Sequence, residues 1–142
     1  EEEKTGFFIT NFIMDIRRGA PESFMQRMQS MFADTDYKIT GKMELYFQNA
    51  MYLVFKMLGF YTDVERTTSN GRIDIVLKTK DYIYVMELKL DGSADDALRQ
   101  IEEKGYALPF AKDPRKLYKI GVDFSSETRG IEEWKIIPDA DA

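Results

Sequence analysis

Apolar positions at helical spacing open the chain. Ile9, Phe12, Ile13 and Ile16 predict a helix that Gly19 and Pro21 end. A second helix is expected from Pro21, with Phe24, Met28, Met31 and Phe32 on one face. That stripe reads as helix packing, with a Met-rich partner surface as the alternative. Asp34-Thr35-Asp36 marks a turn, and Thr40 caps a third helix expected to run to Leu58 and close at Gly59. This helix is apolar around most of its circumference, which predicts burial, and it carries Glu44 in its first turn. The period then changes to two. Strands are expected over residues 60–67, 72–79 and 82–90, with turns at Ser69-Asn70-Gly71 and Lys80-Asp81. Ser93 caps a helix over 94–104 whose apolar face is Ala94, Ala97, Leu98 and Ile101, and Gly105 stops it. Further strands are expected over 117–124 and 131–137, followed by a loose tail. The order of elements predicts an α/β fold with a mixed sheet flanked by helices.

The second and third strands carry the chemistry. If their loop centres on Lys80-Asp81, Asp74 stands opposite Glu87 and Arg72 opposite Lys89. Ile73, Ile75, Leu77, Tyr84, Met86, Leu88 and Leu90 then share the other face, which is a core face. A loop of odd length would break the Asp74–Glu87 pairing. Two opposed carboxylates repel unless something compensates them. A divalent cation would do so, with Lys89 one pleat away on the same face. The alternative is a salt-bridge cluster on a solvated sheet face. Arg72 has two readings: a phosphate ligand, or the counter-charge of Glu44 or Glu87. Gly71, after Asn70, suits a turn that needs positive φ.

Composition narrows the chemistry. The chain of 142 residues suits one domain, and it contains neither Cys nor His. Disulfides, thiolate or imidazole zinc sites and Ser-His-Asp triads are therefore excluded. Carboxylates are left as ligands, and they favour hard cations such as Mg²⁺ or Mn²⁺. A net charge of −5 argues against tight nonspecific nucleic-acid binding over the whole surface, but not against a local basic patch or a metal-supplied charge. No apolar run reaches the ~18 residues of a membrane span, and no signal-peptide pattern opens the chain. A cytoplasmic protein without a membrane partner is expected. The start at Glu1-Glu2-Glu3-Lys4, without Met, predicts a piece of a longer protein.

Gly71-Arg72-Ile73-Asp74 followed by Glu87-Leu88-Lys89 resembles the Asp…Glu-x-Lys signature of the PD-(D/E)XK nuclease superfamily. The resemblance is closest to a branch found at the carboxyl end of bacterial proteins with an AAA-ATPase-like domain. In that branch a helical Glu, the GRID turn, the ELK strand and an Ala-x-x-Gln-Ile segment recur in order. Here they correspond to Glu44, Gly71 to Asp74, Glu87 to Lys89, and Ala97 to Ile101. The resemblance implies a restriction-endonuclease-like core of a helix, three antiparallel strands, a helix and a strand, with extra N-terminal helices. It divides the chain into a helical segment over 1–39, packed on the core or left from a preceding domain, a nuclease-like domain over 40–137, and a flexible tail over 138–142. It implies that Asp74 and Glu87 ligate Mg²⁺ or Mn²⁺, with the Leu88 carbonyl as a further ligand. Lys89 would assist the attacking water. Glu44 either completes the acidic cluster or is an ordinary first-turn Glu. Gln100 and Tyr106 resemble a Gln and a Tyr beside the site of recombination-type nucleases, although their spacing here is longer. Gln100 is then a substrate or supporting contact, and Tyr106 either a substrate contact or a packing residue after the helix cap.

The function expected on these grounds is metal-dependent hydrolysis of phosphodiester bonds, in DNA foremost. The alternative is a noncatalytic module that binds nucleic acid or protein, or regulates an attached ATPase-like domain.

Overall fold

The computed structural model describes residues 2–33, 56–59, 63–69 and 72–139, the side chains of 2–9 and 63–69 excepted. Helices α1 (Glu2–Arg17) and α2 (Pro21–Ala33) precede strands β1 (Asp63–Ser69), β2 (Arg72–Lys78) and β3 (Tyr82–Leu90). Helix α3 (Ala94–Lys104), a 3₁₀ turn (Leu108–Phe110) and strands β4 (Lys116–Ser125) and β5 (Gly130–Pro138) follow. Residues 56–59 are helical, and Leu58 is fully buried. The rest of the expected third helix, Glu44 included, lies outside the described residues, as do Asn70 and Gly71.

The five strands form one mixed sheet in the order β1-β2-β3-β4-β5. Only β3 and β4 are parallel, and α3 supplies the crossover between them. In the β2–β3 ladder Arg72 faces Lys89 and Asp74 faces Glu87, the register read from the even-length Lys80-Asp81 loop. The Thr79 amide donates to the Tyr82 carbonyl at 2.8 Å and closes that turn. One boundary differs from expectation. β1 pairs through Ser69, opposite Arg72, so the Ser69 assigned to the turn belongs to the strand. With seven ladder pairs to make against β2, the strand continues until only positions 70 and 71 remain to connect the two.

The alternation of β2 and β3 gives the sheet two different faces. One buries Ile73, Ile75, Leu77, Tyr84, Met86 and Leu88 against Phe12, Ile16, Phe24, Met28 and Phe32 of α1 and α2. Met28 of the stripe is fully buried and Met31, partly buried, packs against the same core, and Met25 beside them is fully buried as well. The Tyr84 hydroxyl donates to the Ile16 carbonyl at 2.6 Å. Gly19 (φ 74°) turns the chain between the helices, and a Cβ there would lie 2.3 Å from the Tyr82 ring. The Asp15 carboxylate, 2% exposed, accepts from Arg18 at 2.8 Å and Arg27 at 2.7 Å and ties α1 to α2.

The opposite face is covered by α3. Leu98 and Ile101 pack on Ile83, Val85 and Leu117 as a second, smaller core. The helix approaches β4 at Gly121, where a Cβ would meet the Ala94 carbonyl oxygen at 2.4 Å. The face that bears Asp74 and Glu87 is therefore roofed by a helix rather than open to water, which removes the solvated salt-bridge reading for Glu87.

Candidate metal centre

The site is built from β2, β3, the second half of α3 and the residue just after its cap. Period two puts Arg72 and Asp74 on the roofed face of β2, and Glu87 and Lys89 on the same face of β3. Opposed side chains in such a ladder stand ~5 Å apart at Cβ. Glu87 is fully buried. Asp74 Oδ1 and both Glu87 carboxylate oxygens are buried and have no hydrogen-bond partner among the described residues. A buried carboxylate left so is costly, and native proteins rarely leave one unpaired without a functional reason. Burial, and then the adjacent Asp74 carboxyl, push the Glu87 carboxyl up to about 8, against the weaker opposing pull of Arg72 and Lys104.

Helix α3 supplies the surrounding contacts. Ser93 caps its start, the side-chain oxygen accepting from the Asp96 amide at 3.0 Å. At its end the Gly105 amide donates to Glu102 and the Tyr106 amide to the Ile101 carbonyl, each at 3.2 Å, with Gly105 at φ 65°. That is the Schellman pairing, and the left-handed residue reverses the chain. Tyr106 is thereby carried back over the sheet, and its hydroxyl donates to Asp74 Oδ2 at 2.7 Å. Burial first, then this bond to Asp74, raise the Tyr106 pKa, so the phenol stays a donor. One turn before the cap, Gln100 Oε1 accepts from Arg72 at 2.7 Å. The same guanidinium lies 4.0 Å from Glu87 Oε1. Arg72 is thus held between α3 and the buried Glu87 carboxyl.

The remaining sequence candidates are placed as follows. Lys89 is half-buried, one pleat beyond Glu87, and no ion pair or hydrogen bond holds its ammonium among the described residues. Its stem passes Gly92, where a Cβ would lie 3.2 Å from Lys89 Cδ. The Asp96 carboxyl is held low by Ser93 and Arg99, with Lys89 a lesser cause. Leu88 points its side chain into the opposite core and sits mid-ladder between β2 and β4. Glu44 lies outside the described residues. The sequence reading missed Lys104, a cation in the last turn of α3 whose ammonium stands 5.9 Å from the Tyr106 ring centroid. A basic residue just before a helix-ending glycine is the signal that could have found it.

No group of three or more acidic side chains suited to a metal occurs among the described residues. The pair still fits a hard cation by its donors. Three carboxyl oxygens without partners among the described residues lie buried on facing ladder positions, and once Glu87 ionises they offer the oxygen-only ligation that Mg²⁺ and Mn²⁺ take. Beside the pair, a groove of about 530 Å³ runs along β2 from Asp74 to Lys78 and is walled by Lys104, Tyr106 and Phe110.

Comparison with known proteins adds an independent observation. Residues 42–134 match the family model of the PD-(D/E)XK nuclease superfamily. An uncharacterized protein encoded in the vnfD 5′ region of Azotobacter chroococcum mcd 1 is 32% identical over 93 residues. The match covers 64% of this chain but 18% of that protein. No solved structure matches the chain.

Proposed function

Because this chain belongs to the PD-(D/E)XK nuclease superfamily, we propose that it is a divalent-metal-dependent nuclease that hydrolyses phosphodiester bonds in DNA. The observation that supports this reading most is the Asp74–Glu87 pair, whose buried oxygens lack partners among the described residues, with Lys89 one pleat along the same face. In it Asp74 and Glu87 would hold Mg²⁺ or Mn²⁺, with the Leu88 carbonyl as a further ligand and Glu44 as an added carboxylate. Bound there, the cation supplies an activated water and charge neutralisation at the phosphate.

The protein's own groups do the rest. Tyr106 fixes the orientation of Asp74 through Oδ2, and Oδ1 is left without a partner among the described residues. Gln100 holds Arg72 beside Glu87, where it offsets the buried charge and stands near an incoming phosphate. Lys89 is the flexible cation that reaches the attacked phosphate or the water, and steadies the charge that develops. Helix α3 and its second core keep bulk water away from the carboxylates. As part of the same proposal, the domain acts in the cytoplasm as the nuclease portion of a longer chain in which an ATPase-like region precedes it.

The test is cleavage of labelled single- and double-stranded DNA and RNA, with Mg²⁺ or Mn²⁺, by the full-length protein. DNA cleavage that needs the metal and disappears in Asp74→Asn is expected. A full-length protein that binds nucleic acid but never cuts it under these conditions would shift the reading to a noncatalytic binding module.

A further inference from the structure

The groove beside the carboxylates has a composition of its own. Its floor is the roofed face of β2 from Asp74 to Lys78, a run of five residues spanning ~13 Å. Its wall is the segment after α3, with Tyr106, Pro109 and Phe110. Two ammonium groups stand over its rings, Lys78 5.3 Å from the Phe110 centroid and Lys104 5.9 Å from the Tyr106 centroid. Asp74, the shared metal candidate, is the only carboxylate among the lining residues. On a chain of net charge −5, a groove with two lysines and two aromatic rings is a local reversal of sign. Its volume of about 530 Å³ falls within the range of pockets that enclose a small organic group.

We infer that this groove holds an unpaired nucleotide of a single-stranded segment, its base against Phe110 and its phosphates on Lys78 and Lys104, next to the bond at Asp74. The inference rests on the proposed nuclease reading and deepens it by naming the strand state of the substrate. An exposed base has a π-face that stacks on an aromatic ring whatever its identity, and ammonium groups alongside track the backbone. In a duplex the faces of a base are occupied by its stacked neighbours, so the Phe110 wall has nothing to receive. Phosphate contacts alone would serve both strand states, and it is the ring beside them that discriminates. Lys78 and Lys104, which now stand over the rings, are the cations a phosphate would recruit when a base takes their place.

The experiment measures binding of labelled oligo(dT) and of a blunt duplex to the full-length protein in EDTA, where cleavage is stopped. Phe110→Ala should weaken oligo(dT) binding by about 5- to 150-fold, the range that base–aromatic stacking carries, and leave duplex binding unchanged. Lys104→Ala, at an exposed position, should lower the salt dependence of oligo(dT) binding by about one phosphate contact. It serves as the control if Phe110→Ala misfolds. Oligo(dT) binding unaffected by both variants, or an equal loss for duplex and single strand, would overturn the inference. So would free dTMP competing as well as the oligomer at equal nucleotide concentration, which would assign the groove to a mononucleotide. The two proposals fail separately. Phe110-dependent single-strand binding without any metal-dependent cleavage keeps the groove and removes the nuclease. Metal-dependent cleavage indifferent to Phe110, Lys104 and strand state keeps the nuclease and removes the groove.

Discussion

Replacing Glu87 with Gln should make the metal-free protein more stable at neutral and alkaline pH. Glu87 is fully buried, its oxygens lack hydrogen-bond partners among the described residues, and its carboxyl titrates near 8 rather than at the ordinary 4.5. Burial is the main cause, and the adjacent Asp74 carboxyl adds to it. The sign follows from linkage. A carboxyl whose pKa is raised by folding favours the folded state fully below 4.5, and this contribution is lost as pH rises towards 8. Each pH unit in that window costs ~1.4 kcal/mol, so the gross cost by pH 7.5 is ~4 kcal/mol. Relaxation and water entry around a charged Glu87 reduce it, leaving ~2–4 kcal/mol to be recovered by Gln. For a chain of this size that is about 5–15 °C in melting temperature. Thermal or urea unfolding in EDTA from pH 4.5 to 8.5, for wild type and Glu87→Gln, reads it directly. Wild type should lose stability across the range and the variant should not. Mn²⁺ should restore wild type at pH 8 and leave the variant unchanged. Parallel stability curves for the two proteins in EDTA would refute the reasoning, because Glu87 would then carry no buried-charge cost.

Three other substitutions separate catalysis, ligand orientation and packing. Lys89→Ala should remove most cleavage while shifting stability by no more than ~1 kcal/mol, since no ion pair holds the ammonium among the described residues; unchanged cleavage in a gel assay would exclude a catalytic role. Tyr106→Phe deletes the bond to Asp74 Oδ2, and calorimetry should show Mn²⁺ affinity lowered ~10-fold or more with the circular dichroism spectrum retained. Gly121→Ala drives a Cβ to within 2.4 Å of the Ala94 carbonyl oxygen; urea unfolding should show a loss of ~3 kcal/mol, and a silent substitution would mean that α3 does not pack where described.

The hairpin was legible because its information is local. An even-length turn at Lys80-Asp81 and a period-two pattern fix the register, and with it the facing of Asp74 and Glu87. Helix α3 was legible for the same reason, since Ser93 and Gly105 carry both caps. The shift of β1 to include Ser69 was not, because turn propensity alone does not say how many ladder pairs a strand will make. The burial of Glu87 escaped the sequence, since among the described residues it depends on the long-range crossover of α3 over the sheet, which approaches closely at Gly121. The Tyr106–Asp74 bond spans 32 positions and depends on the left-handed turn at Gly105, which spacing between motifs does not encode. Asp15 was missed as well. A carboxylate one position before Ile16 on an apolar helix face reads as an exposed residue until Arg18 and Arg27 are brought around it.

The central claim is that Asp74 and Glu87 form one hard-cation site, and titration of Mn²⁺ into wild type and Asp74→Asn by calorimetry tests it most directly. Wild type should bind one Mn²⁺ with release of protons at pH 7, because Glu87 must ionise to ligate. Asp74→Asn should bind at least tenfold more weakly, with the fold unchanged. Equal affinity in the two proteins, or binding to wild type without proton release, would contradict the account.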